Sequence, residues 1–250
     1  MKKNLVTVIL TYYKKREYIK KTISSLLKQS YKNYELIFVY DDNDIKDLEF
    51  LKKLFSKFKK FKLIINKKNL GVAKSRNLAI KYSKGEYIAF LDSDDLWKKN
   101  KLKDQIEIMK KHNADITCTS YSIIDEKNNL LSIRKLNGEI TYNQISKKCD
   151  IGLSTVILKS SIMKKYKFPI LKTQEDLGLW LNLLRDGYKF FPIKRSYSSW
   201  RKSKKSLSSN TYQKIKDAFK LFYYYENKNL IFSFYSVVIL SLNKLSKLKS

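Results

Sequence analysis

Three groups of carboxylates in this chain of 250 residues sit where apolar packing gives no reason for them. The first, Asp92-Ser93-Asp94-Asp95, closes the apolar run Tyr87-Ile88-Ala89-Phe90-Leu91. The second, Asp41-Asp42-Asn43-Asp44, closes the run from Glu35 to Tyr40, and the third is the pair Glu175-Asp176. Asp92 and Asp94, two positions apart, can face a bound cation and the sugar of a nucleotide together. Mg²⁺ and Mn²⁺ prefer carboxylate oxygen and keep positions open for phosphate. Asp41 and Asp42 offer acceptors for a base N–H. Asp176, at the opening of a helical stripe, has the chemistry of a general base, which must lie within hydrogen-bond reach of the hydroxyl it deprotonates. Each group also has a plainer reading. An Asp after a strand commonly caps the next helix, Asp-Asp-Asn-Asp forms loops readily, and Thr173-Gln174-Glu175-Asp176 is close to a capping box.

The elements that must position these acids follow from periodicity. Leu5 to Thr11 reads as a buried strand, followed by a helix with Ile19, Ile23, Leu26 and Leu27 on one face. A second strand spans Glu35 to Tyr40, then a helix of roughly Asp47 to Lys57 and a third strand from Phe61 to Ile65. Asn69-Leu70-Gly71 turns into a helix through Ala79 and Ile80, and the strand before Asp92 comes fourth. Leu102, Ile106 and Met109 mark another helix, and Ile116 to Ser120 another strand. This alternation predicts an α/β architecture, a mainly parallel, Rossmann-like sheet with helices on both faces. The acids at the ends of the second and fourth strands then share one rim, which is where open α/β sheets bind ligands. From Leu130 the pattern reads as a hairpin, a short strand near Thr155 to Leu158 and a turn at Phe168-Pro169. A helix with Leu177, Trp180, Leu181 and Leu184 follows, ended by Gly187. One or two strands cover Tyr188 to Trp200, and two amphipathic helices rich in aromatics and Lys start at Thr211.

Composition narrows the classes. A hydrophobic content of 43% with only 6 Gly and 2 Pro fits a globular chain without a linker. The formal charge of +30 attracts polyanions, and a basic polyanion- or nucleic-acid-binding protein without catalysis is the competing reading. The Lys residues are spread along the chain and no zinc spacing or RNA-binding signature accompanies them, which argues against nucleic acid as a partner. Cys118 and Cys149 are too isolated for a metal site or disulfide framework and fit a reducing cytoplasm. His112 reads as a surface residue near a helix end. The N-terminal apolar run is too short for a signal peptide. Leu230 to Leu242, interrupted by Ser233, Tyr235 and Ser236, falls short of the ~18 residues of a spanning helix. Neither Gly-x-Gly-x-x-Gly nor a P-loop is present, so a nucleotide diphosphate would be neutralised by a metal and by side chains such as Arg76.

Taken together, Val8-Ile9-Leu10-Thr11-Tyr12-Tyr13, Asp41-Asp42-Asn43, Asn69 to Asn77, Gly85 to Trp97 and Glu175-Asp176 to Gly187 resemble the family 2 inverting glycosyltransferases in order and spacing. The resemblance covers roughly residues 4 to 210. It implies the GT-A fold, with a nucleotide-sugar-binding half (1–120), an acceptor-binding half (121–210) and a helical C-terminal extension (211–250). It also implies that Thr11 and Asp42 bind the base of a UDP-sugar, that Arg76 orients the acids, that Asp92 approaches the ribose and Asp94 ligates the metal, and that Asp176 deprotonates the acceptor hydroxyl. Tyr13, Asp41, Gly71 and Ser93 join the nucleotide-binding set, and Glu175, Trp180 and Ser203 the acceptor side. One departure stands out: where some members carry a metal-binding His, the segment from Tyr197 to Ser208 offers Ser203, so weaker metal affinity is expected. The implied acceptor is a precursor of surface polysaccharide such as lipopolysaccharide or capsule, often lipid-carried. The enzyme would then be cytoplasmic and peripheral at the inner membrane face, its basic tail against anionic lipid. A sugar nucleotidyltransferase is a further alternative, but Val6 to Tyr13 lacks the Gly-rich loop expected of one.

Overall fold

The structure, a computed structural model, describes residues 1–56, 58–203 and 210–249. Lys57, at the end of the second expected helix, and residues 204–208 of the basic segment lie outside the described residues. In chain order the elements are β1 (Lys2–Tyr12), α1 (Arg16–Leu27), β2 (Tyr34–Tyr40), α2 (Ile45–Phe55), β3 (Phe61–Ile65), α3 (Val72–Ile80), β4 (Gly85–Asp92) and β5 (Leu96–Trp97). There follow α4 (Lys101–Lys111), β6 (Ile116–Ile124), β7 (Leu130–Arg134), α5 (Tyr142–Lys147), a 3₁₀ turn (Leu153–Thr155), β8 (Ile157–Lys159) and α6 (Ser160–Lys165). The chain ends with α7 (Glu175–Arg185), β9 (Phe190–Arg201), α8 (Thr211–Lys220), a π-helical turn (Leu221–Tyr225) and α9 (Leu230–Lys249).

One sheet runs β3-β2-β1-β4-β8-β6-β9-β5, with β7 on β6. The first four strands pair in parallel through helical crossovers, as the alternation requires. Beyond them the sheet is mixed: β8 joins β4 and β6 antiparallel, β7 forms the hairpin with β6, and β9 returns parallel to β6. Buried parallel strands read as continuous apolar runs because both faces are covered. Val6, Val8 and Leu10 of β1 pack with Ile19 and Ile23 of α1, Leu51 of α2 and Ile106 of α4. Ile9 looks the other way, into a core closed by Ala73 of α3, Ile162 of α6 and Leu177 of α7. Ala218, Leu221, Phe222 and Val237 are buried in that same second core, so the C-terminal helices pack into the domain.

The register fixes the rim. Thr11 stands beside Val39 on β2 and Asp92 on β4, so the strand ends carrying the two acid runs lie side by side around the end of β1.

Lys101 is a buried cost within this frame. It is 0% exposed, and among the described residues its ammonium has no hydrogen-bond partner and meets the face of Trp97, 4.2 Å from ammonium to ring centroid. Burial holds its pKa well below the ordinary Lys range. Lys101→Met is expected to stabilise the fold by about 1–3 kcal/mol, the typical cost of an unsatisfied buried polar group. A Lys with a depressed folded pKa adds stability as pH rises toward its unfolded value near ~10.4. Urea melts between pH 7 and 10 should therefore show a rising slope in the wild type that the Met variant lacks.

Candidate active site

The Asp41 run divides its labour. Asp41 is 3% exposed and accepts from Asn66 Nδ2 (2.7 Å) and from the backbone N–H groups of Leu70 (2.8 Å) and Gly71 (2.9 Å). Gly71 has φ +85, and Asp41 thereby pins the turn that opens α3. Asp42 accepts from the backbone N–H of Lys14 (3.0 Å) and Asn43 (2.9 Å). Asp44 caps α2 by accepting from the N–H of Asp47, and Asp47 in turn takes the Tyr12 hydroxyl and Arg16. Turn chemistry therefore holds for Asp41 and Asp44. Asp42 borders an open cleft of about 540 Å³ shared with Lys14, Arg16, Glu17, Asn43, Asp44 and Asp47, within the usual range for ligand sites of ~300–1,000 Å³. Tyr13 stands exposed beside it, with the Lys14 ammonium over its ring.

The loop after β4 is braced from three sides. The hydroxyl of Ser154 accepts from the N–H of Asp92 (3.1 Å), and Thr22 Oγ1 donates to the carbonyl of Ser93 (3.0 Å). Asp95 turns inward to accept from the N–H of Arg201 (3.0 Å). The Arg201 guanidinium, buried at 1% exposure, donates from Nε to the carbonyl of Asp94 (2.9 Å) and from its other nitrogens to Asp125 O and Asn128 Oδ1 of the β6–β7 loop. With Asp95 and Arg201 acting as braces, Asp92 and Asp94 carry the acids of the loop tip. Asp94 Oδ2 is 2.7 Å from the ammonium of Lys15. Burial raises the Asp94 carboxyl above the usual range, against the pull of Lys15.

Arg76 ties this loop to α7. Its guanidinium is buried and sends one nitrogen to Asp92 Oδ1 and another to Glu175 Oε1, both at 2.6 Å. Burial opposes its charge, yet the two carboxylates raise its pKa. Glu175 is raised to about 7 by burial, against Arg76. Asp176 is half-buried, and its Oδ1 accepts from the N–H of Leu177 (2.8 Å). Burial lifts its carboxyl above the usual range, and Asp92 adds to the lift. Gln174, at φ 67, makes the turn into α7. The capping box suggested by Thr173 does not form, because Thr173 donates both its N–H and its hydroxyl to Asp217 of α8, at 2.8 and 3.0 Å.

One residue of the expected acceptor side lies elsewhere. Trp180 is 0% exposed in the core, edge-on to Phe190, because the apolar stripe of α7 faces inward; it cannot meet a ligand there. Ser203 is buried and donates to Glu126 Oε1 (3.0 Å). His112 ends α4 with its ring stacked on Phe191. Lys15, Ser154 and Arg201 complete the site without having been assigned to it from sequence, and Asp95, named there with its run of acids, serves as a brace.

Among the described residues no three His, Cys, Asp or Glu gather as a metal site. Asp94 nonetheless fits one ligand of a hard cation: its carboxylate already attracts a cationic partner in Lys15. Mg²⁺ is commonly held by one or two carboxylates plus substrate phosphate and water.

Asp92 on the sheet rim is thus joined through Arg76 to Glu175, the residue before Asp176 at the start of α7. The sequence matches the glycosyl transferase family 2 over residues 7–169, and the chain belongs to that family. It is 38% identical over 214 residues to the UDP-Glc:alpha-D-GlcNAc-diphosphoundecaprenol beta-1,3-glucosyltransferase WfgD of Escherichia coli, covering 85% of this chain and 83% of that protein. The fold is similar to S. aureus TarS 1-349 in complex with UDP-GlcNAc, with TM-score 0.74, 21% identity, and coverage of 95% and 71% of the two chains. It is also similar to the mannosyltransferase PcManGT of Pyrobaculum calidifontis in complex with GDP-Man and Mn²⁺, with TM-score 0.69, 11% identity, and coverage of 98% and 75%. The chain is a glycosyltransferase.

Proposed function

We propose that this enzyme moves a sugar from a UDP-linked donor to a hydroxyl of a lipid-diphosphate-linked glycan during surface-polysaccharide synthesis, with inversion at the anomeric carbon. The observation that carries the reading is Arg76 bonded at once to Asp92 and Glu175, which links the donor-side loop to the helix start bearing Asp176. The relative WfgD, named for a UDP-Glc donor and a diphosphoundecaprenol-linked acceptor, supports both substrate classes. A polyanion-binding protein would leave these acids without a role.

In this reading Thr11 and Asp42 hold the base, with Asp42 accepting from the uracil N3–H. Asp41 and Gly71 frame that pocket, Tyr13 flanks it, and Asp92 and Ser93 approach the ribose. A Mg²⁺ or Mn²⁺ ion at Asp94 would supply positive charge for the departing diphosphate. Asp176 takes the proton of the acceptor hydroxyl as its oxygen attacks the anomeric carbon and the bond to the diphosphate oxygen breaks. Glu175 holds the α7 start on Arg76. Ser203, in place of a His, leaves the cation with fewer protein ligands. A lipid-linked acceptor would hold the reaction at the inner face of the cell membrane.

A screen of nucleotide-sugars for slow hydrolysis tests this assignment. UDP-sugars should be hydrolysed in the presence of Mn²⁺ or Mg²⁺, with loss on chelation. Asp94→Ala should lower the rate by at least roughly 100-fold, since several kcal/mol of charge stabilisation would go. Hydrolysis indifferent to chelator and to Asp94→Ala would leave Asp94 as a partner of Lys15 alone.

A further inference from the structure

The last helix turns an apolar face outward and buries two serines beside Val237. Ser233 and Ser236 of α9 are buried, their hydroxyls returned to the carbonyls of Asn229 and Phe232, each at about one turn's distance along the helix. Ile231, Phe234, Tyr235, Val238 and Leu242 face outward, 52–82% exposed, at spacings that align them in one stripe. A helix meeting water on that side would carry the opposite pattern. Tyr223 and Tyr224 of the π-helical turn are exposed just before it. A contiguous apolar face of this kind marks a contact surface.

Charge selects the occupant. Residues 211–249 carry seven Lys and two acids in sequence. Both acids are buried: Asp217 holds Thr173, and Glu226 takes the Tyr142 hydroxyl and Arg185. Lys216 and Lys220 are exposed on α8. Among the described residues no helix is long and apolar enough to cross a membrane. An apolar stripe on a segment this rich in Lys suits a helix lying in the headgroup plane, where each Lys near the surface adds about 1 kcal/mol on an anionic bilayer.

We propose that the outward face of α9, with Tyr223 and Tyr224, docks on an anionic lipid bilayer. The choice of lipid over a protein partner rests in part on the lipid-linked acceptor proposed above. Through Asp217 and Thr173 the docked segment reaches the loop that opens α7, so docking would fix the height of the cleft above the lipid.

The test is co-sedimentation of the full chain with vesicles of phosphatidylglycerol and phosphatidylethanolamine, or of phosphatidylcholine alone. The comparison variant is Ile231→Ser/Phe234→Ser/Val238→Ser, whose sites are exposed and whose fold is checked by circular dichroism. The wild type should sediment with the anionic vesicles and far less with phosphatidylcholine. The triple variant should bind them on the order of 10-fold more weakly while retaining UDP binding. Equal sedimentation of the two proteins would overturn the proposal by leaving bulk charge as the whole cause. So would absence of wild-type sedimentation, or a wild-type dimer in light scattering that the triple variant dissolves. Vesicle binding does not depend on sugar transfer, so failure here leaves the transferase reading untouched.

Discussion

Asp176→Asn is expected to abolish sugar transfer while nucleotide binding survives. The Asn amide oxygen can still accept from the N–H of Leu177, so the opening of α7 is kept, but no base remains. The loss should reach about 10²–10⁴-fold, the usual contribution of a positioned general base. In the wild type, kcat/KM should fall with decreasing pH through a pKa above the ~4 of an ordinary Asp, because burial favours the protonated carboxyl. A carboxyl raised by folding opposes stability once pH passes its unfolded value and ionisation becomes costly. Asp176→Asn should therefore melt higher than the wild type at pH 7, by about 2–4 °C if roughly 1 kcal/mol is recovered. Retained turnover would return Asp176 to its hydrogen bond with Leu177 as its whole role.

Removing Arg76 should have the largest effect on stability. Arg76→Met leaves Asp92 and Glu175 without their shared partner, and breaking a buried pair in this way costs about 3–5 kcal/mol. Arg76→Lys should rescue little, because one ammonium cannot span two carboxylates that the guanidinium holds from separate nitrogens. Adding Glu175→Gln to Arg76→Met should recover part of the loss, since Glu175 is raised to about 7 by burial and is readily replaced by a neutral side chain. Urea denaturation of the single and double variants measures this coupling. Strict additivity would contradict the bridge.

The parts that sequence made legible are those with local causes. Val6 to Leu10 and Tyr87 to Leu91 announce strands buried on both faces, and Leu177, Trp180, Leu181 and Leu184 announce the inward stripe of α7. That same stripe explains why Trp180 belongs to the core and not to an acceptor site. β5 escaped notice because Leu96–Trp97 is two residues long and exists only through its pairing with β9. The acids on the rim were visible because nothing apolar accounts for them. Their supports were not visible, since each comes from a distant segment. Arg201 reaches back 107 positions to Asp94, and Thr173 finds Asp217 44 positions on instead of capping its own helix. Lys15 offers no spacing signal at all, and its pairing with Asp94 depends on β1 and β4 ending side by side.

Calorimetric titration of UDP, with GDP as the control, tests the central claim most directly. In the presence of Mn²⁺ the wild type should bind UDP at one site and GDP at least about 10-fold more weakly, a difference of roughly 1.4 kcal/mol. Asp42→Ala should erase that preference, because the acceptor for the base is gone, and Asp94→Ala should erase the dependence on Mn²⁺. Equal affinity for UDP and GDP in the wild type, or UDP binding unchanged in both variants, would contradict the account.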